Sequence, residues 1–259
     1  MNEIDPRAIV SASARVGQNV RIGAFAVAGD GVELGDECVL EPHAVVRGPA
    51  RIGRKNIFDS FSSVGGDPQD LKFSGEHTEL IVGDGNRFRE FSTVSRGTAQ
   101  GGGATRIGND NLFMAYSHVA HDCIVGSNTV FANGATLAGH VVVEDYVSVG
   151  AFSPVHQFCR VGRYAYIGAC TVITQDVPPF SRVVTERETK CYGVNTIGLE
   201  RRGFDRERLE TIERAFRLLL RSKLNTSQAL EQIRAQLNGS PDVRELVEFI
   251  ESAERGLHK

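Results

Sequence analysis

The sequence contains no tryptophan and no apolar run approaching the length of a membrane-spanning helix, which argues against a helical membrane protein. Charge of neither sign dominates: 29 Lys and Arg stand against 32 Asp and Glu, a formal net charge of -3. That balance argues against a general nucleic-acid or membrane binder and leaves any electrostatic role to local patches. The first residues, Met1-Asn2-Glu3-Ile4-Asp5-Pro6, are acidic and lack the apolar core of a secretory signal, so the cytoplasm is the expected location. Cysteine is sparse and unpaired in pattern. Cys38, Cys123, Cys159, Cys170 and Cys191 fit neither a CxxC motif nor an even framework, and free thiols are expected.

What is present is a repeat. With 41% hydrophobic and 24% charged residues the composition is that of an ordinary soluble protein, with 28 glycines suited to many tight corners. Apolar residues recur every six positions, first from Val10 through Val16, Ile22 and Ala28 to Val64, then at Val82, Phe88 and Val94. The final run, from Ile107 through Phe113, Val119 and Val125 to Ile173, fills all twelve of its slots. A period of six is a multiple of the strand period of two and not of the helical 3.6. Each hexad therefore reads as a short strand plus a turn, with Gly often following the apolar residue at the corner, and three hexads close one coil of a parallel β-helix. The slot four residues further on is small or apolar (Val20, Ala26, Cys38, Ala44, Cys123, Cys159), a second inward position that makes three of the cysteines core residues.

The β-helix is expected over residues 1–180, interrupted by polar, Gly-rich loops at 65–81 and 95–106 that either cover a site or a neighbouring subunit, or are tolerated insertions. Residues 180–195 read as an irregular connection, opening a C-terminal helical segment over 181–259. Asp205 can cap a helix to about Ser222, Thr226 another to about Leu237, and Ser240-Pro241 starts a third. Leu209, Ile212, Phe216, Leu219 and Leu220 give the first of these a buried stripe, while Arg214, Arg217 and Arg221 fall on another face.

His118, His121, His140 and His156 occupy non-core positions of the last run. Because a coil is 18 residues, His121 lies beside Gly139 with Gln157 one coil further, and Asp122 lies beside His140, at roughly the strand spacing of 4.8 Å. A histidine beside an acid, with an uncovered glycine amide one strand away, has the parts of an acyl-transfer site: base, orienting carboxylate and oxyanion donor. Solvated or interface histidines remain the plain alternative. A zinc site shared between outward histidines of adjacent subunits is a further one, although no repeated HxxxxH supports it, and no metal is expected.

The stretches His118-Val119-Ala120-His121-Asp122-Cys123, Leu137-Ala138-Gly139-His140, Val155-His156-Gln157-Phe158-Cys159 and Gln175-Asp176-Val177-Pro178-Pro179 resemble the acyl-ACP–UDP-N-acetylglucosamine O-acyltransferase family of lipid A biosynthesis. Gln69-Asp70-Leu71-Lys72, Arg96-Gly97-Thr98, Gln100-Gly101-Gly102-Gly103, Gly193-Val194-Asn195 and Arg201-Arg202-Gly203-Phe204 extend the resemblance over essentially the whole chain. It implies a left-handed coil, against the usual right-handed crossover, and a homotrimer with sites between neighbouring prisms. It implies His121 as general base on the sugar 3-hydroxyl, Asp122 orienting it, and the Gly139 amide holding the oxyanion. Asp70, Lys72 and His118 become ligands of the glucosamine end, His140 and His156 line the cleft, and Gln157, Asn195 and Arg202 contact the nucleotide or its diphosphate. The arginine face of the 205–222 helix suits an acidic acyl carrier protein, and no cofactor is implied beyond the carrier's thioester.

Two departures stand out. Glu188, within Thr185-Glu186-Arg187-Glu188-Thr189-Lys190, occupies the place of a family histidine near the diphosphate, so that either Arg187 or Lys190 compensates or the nucleotide pose differs. The family's acyl-length ruler falls on Ala169, which suggests a pocket slightly shorter than glycine allows. Rival readings are the related N-acyltransferase acting on a 3-amino sugar nucleotide, an acetyl-CoA-dependent acetyltransferase, and a non-enzymatic scaffold.

Overall fold

Backbone hydrogen bonding in one direction, repeated coil after coil, organises the first two thirds of the chain. The computed structural model describes residues 1–185, 189–254, 256 and 257, with the side chains of Thr189 and Lys190 outside the description; Glu188 and Arg187 lie outside the described residues. Short parallel strands stack into three faces of a triangular prism, the first of 11 strands, the second and third of eight each. On uninterrupted coils partners lie 18 residues apart, as in His118↔Thr136 and Val119↔Leu137, and the two loops lengthen the offset to 30 and 25, as in Ile57↔Arg87 and Arg87↔Leu112. In sequence order the chain runs from the first face to the second, the third and back, so each coil has three corners.

Inside, like stacks on like. Phe58, Phe88, Phe113 and Phe131 form a continuous ladder with ring centroids 5.0, 4.9 and 4.9 Å apart. Beside it runs a buried amide ladder. Asn86 Nδ2 donates to Asn56 Oδ1 and Asn111 Nδ2 to Asn86 Oδ1, each at 2.9 Å, which satisfies polar groups that would otherwise destabilise the core. Cys38, Cys123 and Cys159 are fully buried as expected, Cys191 is buried too, and only Cys170 is exposed. Burial pushes the Cys123 thiol up to about 12, far from a reactive thiolate.

At the corners the residue in left-handed backbone conformation is usually not glycine: Asp122, His140 and Phe158 have φ of 61°, 61° and 65° at the corner between the second and third faces. The glycines sit two positions earlier, where coils approach most closely. A Cβ on Gly35 would come within 2.6 Å of the Gly53 carbonyl oxygen. Glycine is required there for lack of space, and the hydrogen-bonded coils on either side hold the non-glycine corner residues in place.

Both polar loops leave the prism at this same second–third corner. Strand Ser63–Gly66 pairs with Thr93–Ser95, and the latter with His118–Val119, so successive excursions precede the coil that carries His121. Arg96 is buried and clasps the base of the first loop, donating to the carbonyls of Gly48 and Gly65 and pairing with Asp67.

Residues 180–195 are not irregular. Strands Ser181–Thr185 and Thr189–Val194 form an antiparallel hairpin that continues the first face beyond Tyr166–Ile167. Val183 and Cys191 are the reason, since their burial extends the apolar column past the last full hexad. Among the described residues four helices follow: α1 (Thr196–Glu200), α2 (Arg206–Arg221), α3 (Thr226–Leu237) and α4 (Pro241–Glu251). Asp205 caps α2 as expected, but Asn225 rather than Thr226 caps α3, through a reciprocal pair with Gln228. None is long and apolar enough to cross a membrane.

Helix α4 docks on the prism wall. Arg160 lies 4.6 Å over the Phe249 ring and donates to Ser252 Oγ, while Arg163 Nε approaches Glu245 at 3.5 Å. Burial, reinforced by Glu144, Asp242 and Glu248, pushes the Glu245 carboxyl up to about 7 despite Arg163. The folded state therefore holds a proton that the unfolded chain releases near its ordinary pKa, and stability falls as pH rises from about 4.5 to 7. Glu245→Gln is expected to remove that fall: its thermal midpoint gains on the wild type across this window, whereas a constant offset at every pH would contradict the assignment.

Candidate active site

The second–third corner collects most of the residues singled out by their chemistry. His121 and Asp122 form the turn after strand His118–Val119, Gly139 and His140 the same turn one coil on, and Gln157 and Phe158 the next, with His156 just before them. His121 Nδ1 lies 2.7 Å from Asp122 Oδ2, and the Asp122 side chain is completely buried. This carboxylate is fully engaged. Thr98 donates its backbone N–H to Oδ1 at 2.8 Å and its hydroxyl to Oδ2 at 2.7 Å, and the Asp122 N–H donates to Thr105 Oγ1 at 2.8 Å. With Asp122 receiving Nδ1–H, the His121 Nε2 lone pair is free to accept a proton.

Gly139 supplies the opposite wall. A Cβ there would lie 2.7 Å from His121 Cε1 and 2.9 Å from Nε2, so only glycine leaves the imidazole its place. The Gly139 N–H donates to no described group, leaving it available to an oxyanion. His140 packs edge-on to His121 with ring centroids 5.2 Å apart and stacks on Phe158 at 4.6 Å. Its Nε2 is 3.7 Å from the same Asp122 Oδ2. The ligand-capable atoms of His121, Asp122 and His140 lie within 4.8 Å of one another, close enough for a metal, but the carboxylate's bonds to Thr98 and His121 already occupy it as a hydrogen-bonded dyad.

His118 lies on the second face beside this corner, its Nδ1 2.7 Å from Thr93 Oγ1. Burial, with His121 nearby, lowers its pKa and keeps it neutral at physiological pH. Asp70 and Lys72 sit on the first excursion, where Asp70 Oδ1 accepts the Lys72 N–H; His156 and Gln157 are exposed further along the corner.

Three residues fall elsewhere. Asn195 and Arg202 line a cleft of about 570 Å³ at the third–first corner, with Tyr146, Tyr164, Arg182 and Arg201. There Asn195 caps α1 and donates to the Tyr164 carbonyl, and the Arg202 guanidinium lies 4.6 Å over the Tyr146 ring. Ala169 is exposed at the first–second corner beside Cys170. Thr98, Thr105 and Phe158 were not anticipated. Phe158 is 18 residues beyond His140 and was within reach of the column arithmetic; Thr98 was not, because the inserted loops break the count.

The fold defines a hexapeptide-repeat solenoid of the bacterial transferase kind. A family model for the bacterial transferase hexapeptide (six repeats) matches residues 13–48 and 104–139, and one for UDP N-acetylglucosamine O-acyltransferase, domain 2, matches residues 176–258. The chain is 50% identical over 254 residues to the acyl-[acyl-carrier-protein]–UDP-N-acetylglucosamine O-acyltransferase of Stenotrophomonas maltophilia (strain R551-3), covering 98% of this chain and 97% of that one. It is 48% identical over 257 residues to the protein of the same name from Halorhodospira halophila (strain DSM 244 / SL1), covering 99% of each. Among solved structures it matches LpxA from Acinetobacter baumannii with a TM-score of 0.95 at 38% identity over 99% of both chains. The Arabidopsis UDP-N-acetylglucosamine acyltransferase matches with a TM-score of 0.87 at 33% identity over 99% of this chain and 100% of that one. The chain belongs to the acyl-ACP–UDP-N-acetylglucosamine O-acyltransferase family, and its β-helix is left-handed.

Gly139→Ala tests the corner directly. Its backbone is one alanine can adopt, so the fold is expected to persist while the displaced imidazole costs on the order of 10²-fold in kcat of the family's acyl transfer. Circular dichroism together with steady-state rates checks this; an active Gly139→Ala enzyme would place the reacting groups elsewhere.

Proposed function

We propose that this protein transfers an (R)-3-hydroxyacyl chain from acyl carrier protein to the 3-hydroxyl of UDP-N-acetylglucosamine, the first step of lipid A biosynthesis. The observation that carries the reading is the His121–Asp122 pair at 2.7 Å against the Gly139 backbone, in a chain of this family. His121 Nε2 takes the proton of the sugar 3-hydroxyl as its oxygen attacks the thioester carbonyl. Asp122 holds the imidazole and stabilises the imidazolium, and the Gly139 N–H receives the oxyanion. Collapse expels the carrier's thiolate, which takes the proton back from His121. No covalent enzyme intermediate and no cofactor besides the carrier's thioester are needed.

Asp70, Lys72 and His118 are assigned to the glucosamine end, His140 and His156 to the cleft wall, and Gln157, Asn195 and Arg202 to the nucleotide and its diphosphate. Asn195 and Arg202 lie on a different corner from His121, which favours a site completed by a second copy of the chain. The second face suits such packing. Its outward row (Ile9, Val27, Val45, Ser63, Thr93, His118, Thr136, Pro154) holds no Asp, Glu, Lys or Arg, and Phe25, Phe61, Phe91, Tyr116 and Phe152 stand exposed along its edge. Two further copies close a threefold ring, the homotrimer. Arg217 and Arg221 of α2 converge with Arg182 on a cleft of about 280 Å³, and with the exposed Arg214 they form a surface for an acidic carrier protein. An acyl carrier protein and a sugar nucleotide as substrates support a cytoplasmic location.

Purified protein incubated with UDP-N-acetylglucosamine and hydroxyacyl carrier proteins is expected to give an O-acylated sugar nucleotide by mass, and His121→Ala is expected to lose about 10³-fold or more in rate. A folded His121→Ala protein with full activity, or acylation only of a 3-amino sugar, would overturn the reading. Ala169 lies three coils beyond Tyr116 at the same corner, roughly 14 Å along the prism. As acyl ruler it limits chain length, so Ala169→Gly is expected to shift preference toward a longer hydroxyacyl chain; an unchanged preference across a chain-length panel would remove it from that role.

A further inference from the structure

Asp122 Oδ2 faces two imidazoles, His121 Nδ1 at 2.7 Å and His140 Nε2 at 3.7 Å, and with the Thr98 hydroxyl on one of its two lone pairs it can take a full hydrogen bond from only one of them. Rotation about its own side-chain bonds would carry the oxygen from one to the other. What prevents this is a single residue of the second excursion. Thr98 is buried and grips both oxygens, Oδ1 with its N–H at 2.8 Å and Oδ2 with its hydroxyl at 2.7 Å. Its hydroxyl has no freedom to turn away, because its lone pair accepts the Gly101 N–H at 3.1 Å and its proton is thereby directed to the carboxylate. The loop is closed behind it: the Gly101 and Gly103 amides donate to the Thr98 carbonyl at 3.2 and 2.8 Å. Gly101 itself passes so close that a Cβ there would lie 2.0 Å from Asp122 Cγ.

We propose that Thr98 is a positioning residue of the acyl transfer, holding the Asp122 carboxylate on His121 and away from His140, and that the excursion over 96–103 exists in part to deliver it. The proposal rests on the reading of His121 and Asp122 as base and orienting acid. Thr98 touches no substrate; it acts through Asp122. A two-point grip fixes the plane of the carboxylate, and the imidazole that it orients is the one whose Nε2 faces Gly139. Without the hydroxyl the carboxylate keeps the Thr98 N–H as its one donor besides the imidazoles, and becomes free to pivot about it.

Steady-state rates of the full-length enzyme with UDP-N-acetylglucosamine and a hydroxyacyl carrier protein test this. Thr98→Val removes the hydroxyl at nearly constant volume and is expected to lower kcat by about 10- to 10²-fold with KM for the sugar nucleotide within about threefold, while Thr98→Ser restores kcat to within about threefold. Because Thr98 acts through Asp122, Thr98→Val on an Asp122→Asn background is expected to add almost nothing. Should Thr98→Val not fold, Gly101→Ala offers the same test by pressing on the carboxylate from behind, with the same loss of kcat expected. Wild-type kcat in Thr98→Val or Gly101→Ala while Asp122→Asn is impaired, or full additivity with Asp122→Asn, would overturn the positioning role alone. Wild-type activity in Asp122→Asn would overturn the dyad itself, and the positioning role with it.

Discussion

Everything in this molecule depends on the parallel backbone ladder between successive coils. It fixes the spacing of stacked residues at about one strand width and their offset at 18 positions, as in His118↔Thr136. Inside the prism that constraint produces the phenylalanine and asparagine ladders, where each residue meets its own kind. At the corners it holds residues such as Asp122 and His140 in left-handed conformations that an isolated L-residue rarely adopts. The site is a consequence of the ladder. His121, Asp122, Gly139 and His140 converge because they lie at one corner of adjacent coils.

Two excursions interrupt the rigid repeat. The two excursions leave from the corner where the histidines lie, and each does a different thing. The first brings Asp70 and Lys72, its base clasped by Arg96; the second brings Thr98 to the back of Asp122. The prism supplies precision in the columns, and the loops supply groups that no column can, since a residue extruded from the wall can approach a buried carboxylate from outside the stack.

The repeat, its strands and the second inward column were legible because burial imposes a strict period on residue type: Val119, Cys123 and Val125 can occupy their slots only if the chain turns every six residues. The pairing of His121 with Gly139 followed from the same count. The glycine columns were legible as corner positions, but not the contact that demands them, which for Gly35 is the close approach of the Gly53 carbonyl. The hairpin over 181–194 was missed, because two apolar residues, Val183 and Cys191, mark it without a full hexad. The cap of α3 fell one residue from its expected place, where Asn225 outcompetes Thr226 by pairing with Gln228.

The sequence by itself determined the solenoid and the adjacency of His121, Asp122 and Gly139, because both follow from one-dimensional periodicity. Tertiary structure alone decided which imidazole owns the Asp122 carboxylate, through Thr98, and placed Asn195 and Arg202 on another corner from His121. The physical reason is the same in both cases. Loops and helices outside the repeat obey no period, so their meeting with the prism is set by packing and by the hydrogen bonds left to satisfy, and neither can be counted along the chain.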